Sequence, residues 1–367
     1  MSGVAQIWRD AALHLRSRDF YARTILTVIA AALGGLAAQW IGVPIPWLIG
    51  PILSTLLVLS VGRPVSTMSG VHAPMIGIIG SMLGASFTLD IFSQIASWWM
   101  LFLGLIVAST ISSTIAYFIL RRFGRLDPPT SFFGSTPGGL IEMSLMSEHF
   151  GGDMRSAFLI HTLRVSLVVL ILPQLLNLLA DAPITNGAQA ASSQGMLEWQ
   201  GAGWLLLCLL LGKPIAGKLR LQAPELLGPL FLSALLHVGG FTDFKLPFFV
   251  VASAQAVIGI NMGGRFAGVD RNTLLRLGCV TLLLVTVHLG SATAAAVVMA
   301  RLTGHDMIEL VLAYAPGGIA EMSIITLAVG GNIALVAIHH LLRVSLVLFV
   351  APPLYRALFH KNRDPST

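Results

Sequence analysis

The sequence predicts an all-α integral membrane protein: two inverted repeats of about five transmembrane helices, each with a Pro-Gly-Gly re-entrant or broken segment. Three observations lead there. Of 367 residues 55% are apolar and only 10% are charged, where a soluble domain carries about a quarter charged residues. Apolar runs of about 17–25 residues, the length that crosses a bilayer, recur along the chain. The chain also repeats itself: residues 136–173 align with 315–352 without a gap, at an offset of 179, with 16 identities in 38 positions. Both copies read P-G-G-x-x-E-M-S, then G-G, then H-x-L-R-V-S-L-V, then a proline. Upstream, Gly80-x-x-x-Gly84-x-x-Phe87 pairs with Gly259-x-x-x-Gly263-x-x-Phe266, and Gly50-Pro51 with Gly228-Pro229. Such self-similarity decides the architecture before any single element does.

Taken in order, residues 1–22 read as a cytoplasmic lead that carries Arg9, Arg16 and Arg18 and lacks a signal-peptide cleavage site. Repeat 1 covers 23–181, with apolar runs near 24–43, 45–61, 73–89, 98–120 and 157–180. Residues 182–199, rich in Ala, Ser, Gln and Asn, form a linker loop. Repeat 2 covers 200–357, with runs near 202–217, 226–240, 247–264, 276–300 and 333–355, and 358–367 is a cytoplasmic tail. A shorter broken segment, 131–150 and 310–330, precedes the last run of each repeat.

Loop charges orient the runs. With the N-terminus cytoplasmic, Arg63 and the trio Arg121, Arg122 and Arg125 fall inside, while the loop after the third run carries only Asp90. In the second repeat the bias flips: Asp181 and Glu198 precede its first run, Lys218 and Arg220 follow it, and Arg265, Arg271 and Arg276 surround the end of its third. Homologous loops with opposite charge signatures fit halves that sit upside down to one another. Inversion needs an odd number of crossings per half, so ten spans plus two re-entrant segments are preferred to twelve spans. Both termini are then cytoplasmic, in a bacterial inner membrane. A net charge of +6 and a pI near 9.8 are thereby assigned to the positive-inside rule, and no nucleic-acid partner is expected. Cys208 and Cys279 lie within apolar runs and make no CxxC.

Non-helical backbone survives at membrane depth only where it is buried in protein or lines a cavity. Pro137-Gly138-Gly139 and Pro316-Gly317-Gly318 break a helix, and the restarted helix presents free amides that favour an anion. Matched breaks in two halves point to a transporter's binding site, although a kinked, tightly packed helix pair would read the same. Glu142 and Glu321 stand three residues after the second glycine of each copy. An ionised side chain at mid-bilayer costs roughly 2.5–3.5 kcal/mol, so it pairs or functions. Arg164 and Arg343, each 22 residues further on, are the obvious partners. Either a structural Glu–Arg pair pins each segment, or Glu takes a cation while Arg meets an anion. His161 and His340 precede the arginines by three residues, as proton relays or as hydrogen-bonded core residues. Ser144 and Ser323 are candidate donors to a substrate, and Asn261 is a candidate cavity residue. The GxxxG pairs bring helices close. No catalytic residue, metal ligand set or nucleotide motif is expected.

At the paired P-G-G-x-x-E-M-S and H-x-L-R-V-S-L-V blocks the sequence resembles the membrane AbrB family over nearly the whole chain. That resemblance implies the internal duplication, and with it labels of two kinds, regulator of gene expression and ammonia monooxygenase. By architecture the chain is also similar to citrate and glutamate symporters with a Gly-Gly re-entrant segment in each inverted half. The expected function is secondary transport of a small anionic organic solute by alternating access, with H⁺ or Na⁺ coupled at Glu142 or Glu321 and no cofactor. A membrane sensor or indirect regulator of gene expression is the alternative, and a membrane monooxygenase the third reading. Expected partners are the lipid bilayer, a small-molecule or ion substrate, and a second copy in a homodimer.

Overall fold

The computed structural model describes residues 18–88, 90–179, 198–221 and 223–359. The expected lead up to residue 17, most of the linker and the tail from residue 360 lie outside the described residues, and with them Arg9, Arg16, Asp181, Lys361 and Arg363. Among the described residues the regular elements are helices joined by turns and short extended stretches. Helices α1 (Arg18–Ile41), α2 (Pro46–Ser60), α3 (Ser69–Gly84), α4 (Asp90–Ile95), α5 (Trp99–Arg122), α6 (Pro128–Ser135), α7 (Leu140–His149) and α8 (Met154–Leu179) make the first part. The second comprises α9 (Trp199–Lys218), α10 (Pro224–Val238), α11 (Phe248–Gly264), α12 (Arg271–Thr303), α13 (Met307–Tyr314), α14 (Ile319–Ala328) and α15 (Ile333–Phe359).

Six helices, α1, α5, α8, α9, α12 and α15, are long and apolar enough to cross a membrane. Four of the ten expected spans come out shorter. α2, α3, α10 and α11 have 15, 16, 15 and 17 residues, a rise of about 22–26 Å against a hydrocarbon core of about 30 Å. Prolines limit two of them at the start: Pro46 opens α2 and Pro224 opens α10, each after a residue in the left-handed region, Ile45 and Ala223.

Packing is set by glycines. Gly34 and Gly50 place α1 and α2 backbone against backbone, and Gly212 and Gly228 do the same for α9 and α10. Gly80 and Gly84 of α3 lie against the Leu226 and Leu230 carbonyls of α10, so these helices run the same way. Gly259 and Gly263 of α11 meet Leu48 and Ile52 of α2 in the same sense. A Cβ at these positions would enter the partner's backbone. The GxxxG pairs therefore seat each part of the chain on the other.

α5 runs antiparallel to α12. Leu101 and Leu105 share a core with Leu289, Ala292 and Ala296, whereas Ala116 and Leu120 pack with Val280 and Leu284. Trp98 is fully buried at the start of this pair. Outward faces are apolar: Ile25, Ile29, Leu33 and Leu36 of α1, and Leu206 and Leu210 of α9, are exposed. Water would not tolerate a contiguous patch of that size, but lipid does.

Candidate functional site

The two breaks have one geometry. After α6 and after α13 the chain makes a tight turn on proline: Gly138 N–H donates to the Thr136 carbonyl at 2.9 Å, and Gly317 N–H to the Ala315 carbonyl at 3.0 Å. Proline's fixed φ suits the centre of such a three-residue turn. Gly139 and Gly318 are extended, and the first bonds of the restarted helices run from Met143 N–H to Gly139 and from Met322 N–H to Gly318. Pro137 and Pro316 are buried. Gly138 is pressed against Met143 and Val347, and Gly317 against Met322, so neither site has room for a side chain.

A broken helix leaves carbonyls without intrahelical donors. The duplicated block of the last helix supplies them. His161 Nε2 bonds the Phe133 carbonyl at 3.1 Å, and His340 Nε2 bonds that of Leu312 at 3.0 Å. Arg164 donates to the Thr136 carbonyl at 3.1 Å. Arg343 donates to the carbonyls of Tyr314 (3.3 Å), Ala315 (2.7 Å) and Gly317 (3.2 Å), and to His340 Nδ1 (3.0 Å). Both arginines are almost wholly buried, at 3% and 2% exposure. Their Nε atoms have no hydrogen-bond partner. Both lie near His288 of α12.

The expected Glu–Arg pairs are not formed. Among the described residues the one ion pair joins Lys213 to Glu225 at 3.4 Å. The Glu142 and Glu321 carboxylates instead fold back over Gly139 and Gly318, filling the space a side chain there would need. Each is the third residue of its helix, where a carboxylate faces the positive end of the dipole and the first free amides. Glu142 is exposed and Glu321 half-buried. Among the described residues the buried guanidinium charges thus rest on carbonyl dipoles and, for Arg343, on the His340 ring, with no carboxylate.

Ser144 spends its hydroxyl on the Leu140 carbonyl (2.7 Å), whereas Ser323 is buried without a partner. Asn261 is satisfied within its own helix by Val257 (2.8 Å) and is not brought to the breaks by any bond. Three further features stand out, of which the sequence marks only His339, as an extra histidine beside His340. His288 donates from Nδ1 to Leu284 (2.8 Å) and leaves Nε2 unbonded beside the arginines; a lone histidine in an apolar run was the only available signal. His339 lies among Trp98, Phe102 and Tyr314, with its ring 4.6 Å from that of Phe102.

The third feature is a clasp at the mouth of each hairpin. Thr130 Oγ1 accepts the Asp153 N–H (2.7 Å), and Glu309 Oε1 accepts the Asn332 N–H (2.8 Å). These are the same positions of the two copies, hidden because the residue types differ. No group of three His, Cys, Asp or Glu side chains among the described residues is placed to hold a metal.

Helices long and apolar enough for a bilayer, wrapped around two broken hairpins, define a polytopic helical membrane protein. Within that class the family described as "Transition state regulatory protein AbrB" matches residues 47–359, and the chain belongs to it. It is 29% identical over 364 residues to "Uncharacterized protein YhjN" of Bacillus subtilis (strain 168), covering 92% of this chain and 93% of that one. To "Putative regulator AbrB" of Escherichia coli (strain K12) it is 26% identical over 324 residues, covering 85% and 90%. No solved structure matches the chain.

Proposed function

We propose that the protein is a secondary transporter of a small organic anion, built as two inverted repeats whose Pro-Gly-Gly hairpins enter from opposite faces. The observation that carries this reading is the pair of buried arginines that no carboxylate among the described residues neutralises. Uncompensated charge inside a membrane is expensive and is retained where a ligand or ion supplies the compensation. Parallel packing of α3 with α10 and of α2 with α11, and antiparallel packing of α5 with α12, are what inversion requires. Arg155, Arg265 and Arg276 share one crevice of about 680 Å³, and the positive-inside rule assigns that end to the cytoplasm.

Alternating access would come from motion of the hairpins and last helices against the glycine-packed α1–α3 and α9–α11 framework. Glu142 or Glu321, without an ion-pair partner among the described residues, would take up the coupling H⁺ or Na⁺. Uptake of radiolabelled small carboxylates into proteoliposomes under an imposed pH or Na⁺ gradient tests the whole reading. Glu142→Gln and Glu321→Gln proteins should fold normally and lose the gradient dependence; coupling that persists in both removes the carboxylates from the mechanism.

A second reading takes its support from the name of the Escherichia coli relative, "Putative regulator AbrB": a membrane component of a regulatory system. It requires a partner that co-purifies at fixed stoichiometry, and a transcript response that survives when transport is abolished.

A further inference from the structure

Between α5 and α15 runs a groove of about 420 Å³, within the roughly 300–1,000 Å³ of small-molecule sites. Arg343 and Thr136, both buried, line its inner part. From there one wall follows Leu346, Val350 and Leu354 on α15, and the other follows Ile106, Ser113 and Tyr117 on α5. Ile106 and Val350 are exposed on the outer surface of the chain, so the groove is open sideways, toward lipid. The hydroxyls of Thr110 and Thr114 are spent on their own helix, on the carbonyls of Ile106 and Thr110 (both 2.8 Å). The wall is therefore mainly apolar: the Ser109, Ser113 and Tyr117 hydroxyls are the polar groups left along it, and a second charge would meet no opposite charge among the lining residues.

We infer that this groove receives an amphipathic monocarboxylate, with its headgroup at Arg343 and its hydrocarbon chain along α15. This deepens the proposed function and rests on the reading of the arginines as an anion site. Arg343 carries the argument. It is 2% exposed, its Nε has no hydrogen-bond partner, and it is the one charged residue lining a mainly apolar cavity. A carboxylate there gains a charge-assisted bond from a donor already desolvated. Seven residues separate Arg343 from Val350, about 10 Å of helix rise, room for a chain of medium length. A dicarboxylate or sugar acid would have to desolvate its second polar end against leucine and valine.

The test is calorimetric titration of the protein in lipid nanodiscs with acetate, butyrate, hexanoate and octanoate, against succinate and hexanol, with empty discs as the blank. Affinity should rise about fourfold per added methylene, the increment expected for burying one CH₂. Hexanol and succinate should bind at least tenfold more weakly than hexanoate. Arg343→Gln should remove binding of every acid. Val350→Trp, which fills the groove away from the headgroup, should flatten the chain-length series while acetate still binds. If Arg343→Gln does not fold, Arg343→Lys keeps the charge, and Val350→Trp carries the test alone. Acetate and succinate binding equally well, with no gain along the series, overturns the groove and leaves the anion site standing. Hexanol binding as tightly as hexanoate also overturns it. No acid binding above the blank overturns both.

Discussion

Arg343 and Arg164 occupy equivalent places but do unequal work. Arg343 satisfies three carbonyls of its break and a histidine, Arg164 one carbonyl. A buried carbonyl left without its donor costs about 1–3 kcal/mol. Arg343→Gln should therefore lower the melting temperature in detergent by clearly more than Arg164→Gln. Equal losses would mean that carbonyl capping is not what the arginines contribute to stability. This unequal division was not legible in the sequence, where the two H-x-L-R-V-S blocks are the same. The pairing of Glu142 with Arg164 was a natural expectation from hydropathy, because two opposite charges in one apolar region should meet. It fails because backbone competes. A helix broken at Pro-Gly-Gly exposes carbonyls for arginine and amides for glutamate, and each charge finds the helix end of opposite sign.

At the scale of elements, glycine spacing decides which helices touch. Gly80→Val should cripple folding, since its Cβ would enter the Leu226 carbonyl, whereas Gly203 of α9 faces open space. Gly203→Ala should be neutral or stabilise by up to about 1 kcal/mol; thermal denaturation of the two purified variants checks the contrast. The hairpin mouths make a second case. Thr130→Val removes the acceptor for the Asp153 N–H, a loss of about 1 kcal/mol, and hydrogen exchange should quicken at the start of α8 but not of α15.

The start of α12 is capped by Asp270, whose carboxyl lies below its ordinary value because the Thr273 N–H, 2.9 Å away, donates to the ionised form. A lowered value means that the contribution is present at neutral pH and lost as pH falls through it. The melting difference between wild type and Asp270→Ala should shrink on acidification.

Across the whole molecule the two hairpins are not in equal surroundings. α14 rests against α3, while its counterpart α7 makes no comparable contact with α11. Glu321 is correspondingly half-buried and Glu142 exposed. In an inverted-repeat transporter such inequality between matched elements distinguishes one access state from the other, since exchanging the two environments opens the opposite face. Single cysteines replacing Glu148 and Asp306, both exposed at hairpin ends, should react with a membrane-impermeant maleimide from opposite sides in a background lacking Cys208 and Cys279. Labelling of both from one side would end the inverted model.

Composition, run length and the offset of 179 between the two P-G-G blocks were enough to determine a helical membrane protein, its order of helices and the places where they break. Those properties are local: hydropathy over a window, a proline that cannot donate, a glycine that admits a turn. Which groups meet at the breaks was decided only in three dimensions. The side chain that satisfies a given carbonyl depends on how α8 and α15 lie against the broken hairpins, and that follows from close packing at glycines far along the chain. His288 beside the two arginines, the Thr130 and Glu309 clasps, and a greasy groove ending at Arg343 are all contacts of high sequence separation. No pattern of spacing encodes them, because each arises from two helices brought together by a third.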